Sequence, residues 1–213
     1  MAVSRAATIQ ATLNSQDSIV GEREGGTAAA VGYYADSANG QAGVGGGAGN
    51  RENRNLIIGF ILPVLSEPIV SATFSILIAN SSSSGGSVAV DLYGLSTINP
   101  DGTGTTLFAE IGADGSQIFL MDAFASPGDT GTKTATVTDF IQSLYTGNTP
   151  NQTEVFFRIN PDRGLSTSQG PRRVTFTTSS AQLEIVTVPE PSLGLLSVAG
   201  FGLLLVKRSR RKI

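Results

Sequence analysis

At 213 residues, with 40% hydrophobic and 15% charged side chains, the chain has material for one ordinary core and little more. It contains no Cys and no His, which excludes disulfides, thiolate or imidazole metal sites, and every Ser-His-Asp or Cys-His catalytic arrangement. Its 14 basic and 17 acidic residues are unevenly placed: Lys207, Arg208, Arg210, Arg211 and Lys212 all follow the last acid, Glu190, and without them nine cations face 17 acids. A body at about minus eight lacks the basic face that phosphate contacts require, so no nucleic-acid partner is expected.

Abundant Gly, with Ser, Thr and Asn between short apolar runs, gives the texture of an all-β protein rich in turns. The N-terminal stretch MAVSRAATIQ has no apolar signal region, yet Ser4 and Ala6 before Ala7 suit a signal-peptidase cut. Residues 1–7 are therefore expected to be a cleavage remnant, with Met1 internal to a longer native reading frame. Strands are expected at Thr8 to Leu13 and Ala28 to Tyr34, followed by a Gly-rich surface loop over 38–50. That loop lacks the Gly-Lys-Ser/Thr of a phosphate-binding loop and does not complete a dinucleotide fingerprint after Gly43 and Gly45.

From Asn55 the pattern sharpens. NLIIGFIL reads as a strand buried on both faces and ended by Pro63, while IVSATFSILIAN alternates with Val70, Ala72, Phe74, Ile76 and Ile78 inward. VAVDLYGL returns after SSSSGG with Val88, Val90 and Leu92 inward and Tyr93 in the core, so the three runs read as a meander. Later strands are expected at Gly115 to Met121, Glu154 to Asn160, Arg173 to Thr178 and Ala181 to Val188. One helix interrupts them: Val137, Phe140, Ile141, Leu144 and Tyr145 follow helical spacing, with Thr136 and Asp139 as a capping box and Gly147 closing the end. The helix should pack over one end of a β-sandwich occupying 8–187.

The chain ends in VPEPSLGLLSVAGFGLLLVKRSRRKI. The apolar run from Leu193 to Val206 reaches spanning length only when counted back towards Val188, and the basic cluster should stay cytoplasmic. A single transmembrane helix over 192–206 with a basic stop at 207–212 follows. Val188, Pro189, Glu190 and Pro191, the short apolar helix and the basic cluster together resemble the PEP-CTERM sorting signal of exopolysaccharide-producing Gram-negative bacteria. That resemblance implies an exosortase-type membrane protease as partner, with delivery from the inner membrane to the cell envelope or extracellular matrix. A tail-anchored protein without sorting is the alternative.

The stretches ENRNLIIGFILP, IVSATFSILI, DLYGL, TVTDFIQSLYTG, EVFFRINPDRG and AQLEI are similar in order to the DNRLRE-type jelly-roll domain. This implies a jelly-roll-like sandwich, some relatives of which are carbohydrate-binding modules. Exopolysaccharide is accordingly one ligand to expect, with Tyr33 and Tyr34 as the paired aromatics offered for contact; a structural matrix component is the parsimonious alternative. No enzyme activity, cofactor or metal is expected. The catalytic alternative is a carboxylate-dependent glycoside hydrolase drawing on Asp91, Glu110, Asp114, Asp122 or Asp139. Asn99 to Gly104 and Asp162 offer calcium-type oxygens but lack the spacing of an EF-hand.

Overall fold

The computed structural model describes residues 6–13, 19–25, 28–35, 39–47, 50–82, 89–95, 117–126, 128–161 and 172–188; for 19–25, 28–35, 39, 44–47, 50–53, 81–82 and 117 only the backbone is described. The elements in chain order are β1 (Ala7–Gln10), β2 (Thr12–Leu13), β3 (Ile19–Gly25), β4 (Ala28–Ala35), β5 (Asn39–Gly47), β6 (Asn50–Ile61), β7 (Ile69–Ser82) and β8 (Val90–Leu95). They continue with β9 (Gln117–Ala125), β10 (Gly131–Thr136), α1 (Thr138–Ser143), β11 (Tyr145–Thr146), β12 (Thr149–Pro150), β13 (Glu154–Asn160) and β14 (Arg172–Thr187).

The ladder runs β10-β7-β14-β5-β6-β13-β8-β9, all antiparallel. It folds over on itself as a barrel-like sandwich. Rings from the β7–β14 side meet rings from the β6–β13–β8–β9 side: Phe74 stacks on Phe157 at 4.6 Å, Phe60 meets both edge-on, and Phe124 lies 6.4 Å from Phe176. These rings are almost wholly buried, as are Leu56, Ile58, Ile76, Leu92, Ile159, Leu183 and Ile185 around them.

The alternation read in β7 holds at Ala72, Phe74, Ile76 and Ile78, all buried, but Val70 is 50% exposed: the register against β14 shifts between Val186 and Thr187, leaving Val70 unpaired while Ile69 packs on the core. NLIIGFIL is buried throughout from Leu56 to Phe60, as its continuous apolar run requires. The meander is not formed. β6, β7 and β8 are not neighbours; β7 lies between β10 and β14, and β8 between β13 and β9. A half-buried alternation states which face is covered, not which strand sits alongside, and here β7 and β8 belong to opposite layers.

The Gly-rich stretch is also not a loop. Asn39–Gly47 is β5, pairing with β14 from Asn39 to Val44 and with β6 from Gly43 to Gly47. Gly43, where both ladders meet, has φ 114, and a Cβ there would strike the Arg172 carbonyl, so only glycine lets the backbones approach this closely. The two short strands expected at its other end merge differently: Arg172–Thr187 is one strand, with a register irregularity at Thr177/Gln182. There Ser180 Oγ donates to Thr177 O at 2.6 Å and accepts the Leu77 amide at 2.8 Å, filling the gap in the ladder.

The helix is shorter than its spacing suggests. Thr136 belongs to β10, no side chain caps α1, and Thr138 Oγ1 instead accepts the Ala72 amide at 3.0 Å, tying the helix to β7. Val137, Phe140, Ile141 and Leu144 are buried as the periodicity predicts. Gly147 closes no helix; it lies in the β11–β12 turn. Tyr145, beginning that hairpin, donates its phenol to Pro63 O at 2.8 Å, and burial pushes its pKa up to about 12.

Two outcomes follow from this core. Phe74→Ala removes a ring touching both layers and should lower stability by roughly 3–5 kcal/mol, whereas Thr73→Ala, on the other face, should cost well under half of that in the same urea melt. In the second, Tyr145 is neutral when folded and its raised pKa gives stability that is complete below the ordinary tyrosine value of about 10 and is lost as pH rises towards about 12. A 295 nm titration of the folded protein should show a late phenolate step that Tyr145→Phe abolishes.

Candidate functional site

Among the described residues β9 is the edge of its layer, and its first half turns apolar side chains outward. In the run QIFLM, Ile118, Phe119 and Met121 are 46%, 55% and 39% exposed; of the run's described side chains only Leu120 turns towards the core. The strand is irregular because its register against β8 shifts between Val90 and Leu92 and again between Leu92 and Tyr93. At that bulge Ala123 adopts φ 48, a left-handed conformation that alanine disfavours. Asp91 compensates: its Oδ1 accepts the Ala123 amide at 2.8 Å, a hydrogen bond the ladder does not supply.

Across the outer face of this layer, register aligns Ile57, Arg158, Tyr93 and Phe119 on four successive strands. Ile57 and Arg158 are fully buried, Tyr93 is half-buried, and Phe119 ends the row in solvent. Tyr93 therefore does not fill the core, which takes the alternate residues Val90 and Leu92; its ring supports Phe119 edge-on at 5.5 Å.

Phe119 also borders a cleft of about 370 Å³, whose walls are Ile118–Leu120 on one side and Thr136, Val137, Thr138, Asp139 and Phe140 on the other. Val137 and Phe140 make its floor apolar, while Thr136 and Asp139 are exposed. Phe140 is held there by Phe157, 5.9 Å away, and by the bare backbone of Gly94, where a Cβ would come within 2.4 Å of the Phe140 ring. At the ends of these strands away from the cleft lining, the β9–β10 connection is fixed by Asp129, which accepts the Ser126 amide at 2.9 Å and pairs with Lys133 at 2.6 Å. Its hydrogen bond from Lys133, then that from Ser126, hold the Asp129 carboxyl below the usual carboxylate range.

This arrangement suits an apolar ring face laid on Phe119 with hydroxyls turned to Asp139 and Thr136. Asp91 is 2% exposed and occupied by the bulge, Asp122 is exposed on β9, and Asp139 is at the cleft. Glu110 and Asp114 lie outside the described residues, as do Asn99 to Gly104 and Asp162; among the described residues no three acids gather as metal ligands. Tyr33 and Tyr34 are in β4, opposite Glu22 and Gly21 respectively, so they fall in different rows of the sheet; their side chains are outside the description. Pro189, Glu190, Pro191, the 192–206 segment and the basic residues from Lys207 to Lys212 are likewise outside it, as are residues 1–5. No helix among the described residues is long and apolar enough to cross a membrane.

Gly94→Ala should push Phe140 from the cleft floor and lower stability by about 1–3 kcal/mol. Combining it with Phe140→Leu should cost less than the two changes summed, because the smaller side chain leaves room for the new methyl. Additive melting shifts would show that the two residues do not meet.

No family model matches the chain, and no curated protein matches it either. Among solved structures it is similar to the xylan-binding module CBM15, at 13% sequence identity and a TM-score of 0.43, over 88% of this chain and 100% of that one. At that score the likeness carries nothing over to the present chain.

Proposed function

We propose that the protein is an exported, non-catalytic module of the cell envelope or extracellular matrix that holds polysaccharide on a jelly-roll-type sandwich. The observation that carries this reading is Phe119: a large aromatic ring in solvent, supported by Tyr93 and bordering a cleft with an apolar floor and polar rim. Exposed aromatics held rigid by their neighbours are what a pyranose face packs against, and they lose little entropy on binding. The acidic body and the Asp139 rim favour uncharged glycans over polyanionic ones.

Phe119→Ala should reduce retention on a neutral insoluble polysaccharide by on the order of tenfold, about 1.4 kcal/mol, without lowering the melting temperature. Retention lost instead in the Tyr33→Ala, Tyr34→Ala double variant would move the site to β4. Measured hydrolysis that disappears in Asp122→Asn or Asp139→Asn would replace this reading with a glycosidase.

The export part of the proposal rests on the C-terminal sequence. Val188 to Pro191 serves as the motif read by an exosortase-type protease, the apolar segment holds an inner-membrane intermediate, and cleavage releases the body to its destination. Replacing Pro189, Glu190 and Pro191 by Ala leaves apolar length and basic stop intact, so membrane insertion should persist while processing stops. A mature mass identical to that of the unaltered protein would retire the sorting claim and leave a simple tail anchor.

A further inference from the structure

The membrane-held intermediate proposed above has a defined geometry, because the described chain stays in the sandwich up to the sorting motif. Thr187 is 1% exposed and pairs with Ile69, and the next amide, Val188 N–H, donates to Pro68 O at 3.2 Å. Val188 is thus still bonded to the folded body. Between it and the apolar run beginning at Leu193 stand only Pro189, Glu190, Pro191 and Ser192. Fully extended, that connection reaches roughly 17 Å, less than the length of a single β7-sized strand.

The same end of the sandwich carries further elements that locate it. Ala7, at the start of β1, pairs with Thr187, and Gln142 of α1 donates to Ile69 O at 2.8 Å. Its surface includes Val70, which is 50% exposed although its strand neighbours Ala72 and Phe74 are fully buried. Glu67, half-buried, is an acid within this segment, so anionic headgroups are disfavoured there relative to zwitterionic ones.

We infer that the Pro68–Val70 end of the sandwich, with Ala7 and Val188 beside it, is a docking surface for a lipid bilayer while the C-terminal segment is uncleaved. This rests on the membrane reading of that segment. The body stands upright on the membrane with β7 leading away from it: Asn80, ten residues beyond Val70 along the strand, lies roughly 33 Å further out. Val70 is the apolar contact at the lipid–water boundary, and the short connection prevents the body from turning another face inward.

The absence of native cysteine makes the test direct. Val70→Cys, Ala7→Cys and Asn80→Cys each give the full chain a single thiol for an environment-sensitive dye; all three side chains are exposed, so the fold should tolerate each label. The labelled full chain is reconstituted into phosphatidylcholine vesicles with brominated acyl chains, and quenching is read against unbrominated vesicles. Loss of fluorescence at positions 7 and 70 but not at 80 is expected, and removal of residues 189–213 should restore it. Equal quenching at all three, or none at any, in protein that floats with the vesicles would overturn the docking surface while leaving insertion intact. Protein that does not float with the vesicles at all would instead remove the membrane reading on which the inference stands.

Discussion

The stack of Phe74 on Phe157 is the contact on which this architecture depends. It joins β7 to β13, strands that share no backbone hydrogen bond, and Phe60, Phe124 and Phe140 are arranged around it. Each layer alone exposes an apolar face; apposing them removes both from water, and the edge-on contacts select one relative placement. The helix and the cleft inherit their positions from that choice, since Phe140 reaches the cleft by packing on Phe157.

Legibility in the sequence followed the strength of each physical signal. Ala72 to Ile78 could be read because alternation over a half-buried strand is enforced by burial, and Leu56 to Phe60 because a strand covered on both faces needs apolar residues throughout. β5 could not be read, because its glycines give no hydrophobic period and low strand propensity; its place is fixed by backbone approach to β6 and β14, which a sequence does not display. Partner choice was hidden for a related reason. The alternation in β7 is the same whether its neighbour is β8 or β14.

The cleft beside Phe119 was not legible in the sequence. Ile118, Phe119, Leu120 and Met121 form an apolar run, and such a run ordinarily means burial, so nothing in it marks Phe119 as exposed. The bulge at Ala123, held by Asp91, together with edge position, turns that run into exposed side chains. Edge strands that expose apolar groups invite unwanted pairing, and the irregular backbone of β9 makes it a poor template for another strand. The same distortion therefore presents the aromatic ring and protects the edge that presents it.

The antiparallel pairing of Ala7 with Thr187 has a mechanical consequence. Both ends of the described body leave from one side of the sandwich, on adjacent strands, with hydrogen bonds perpendicular to them. Tension applied between the two termini would load those bonds one after another, so β1 would peel from β14 at low force. A load between the C-terminus and the surface of β9 takes another route, through the long β14–β7 ladder and the interlocked rings, and must shear many contacts together. The body is thus weak against pulling at these two ends and strong against a load applied at β9.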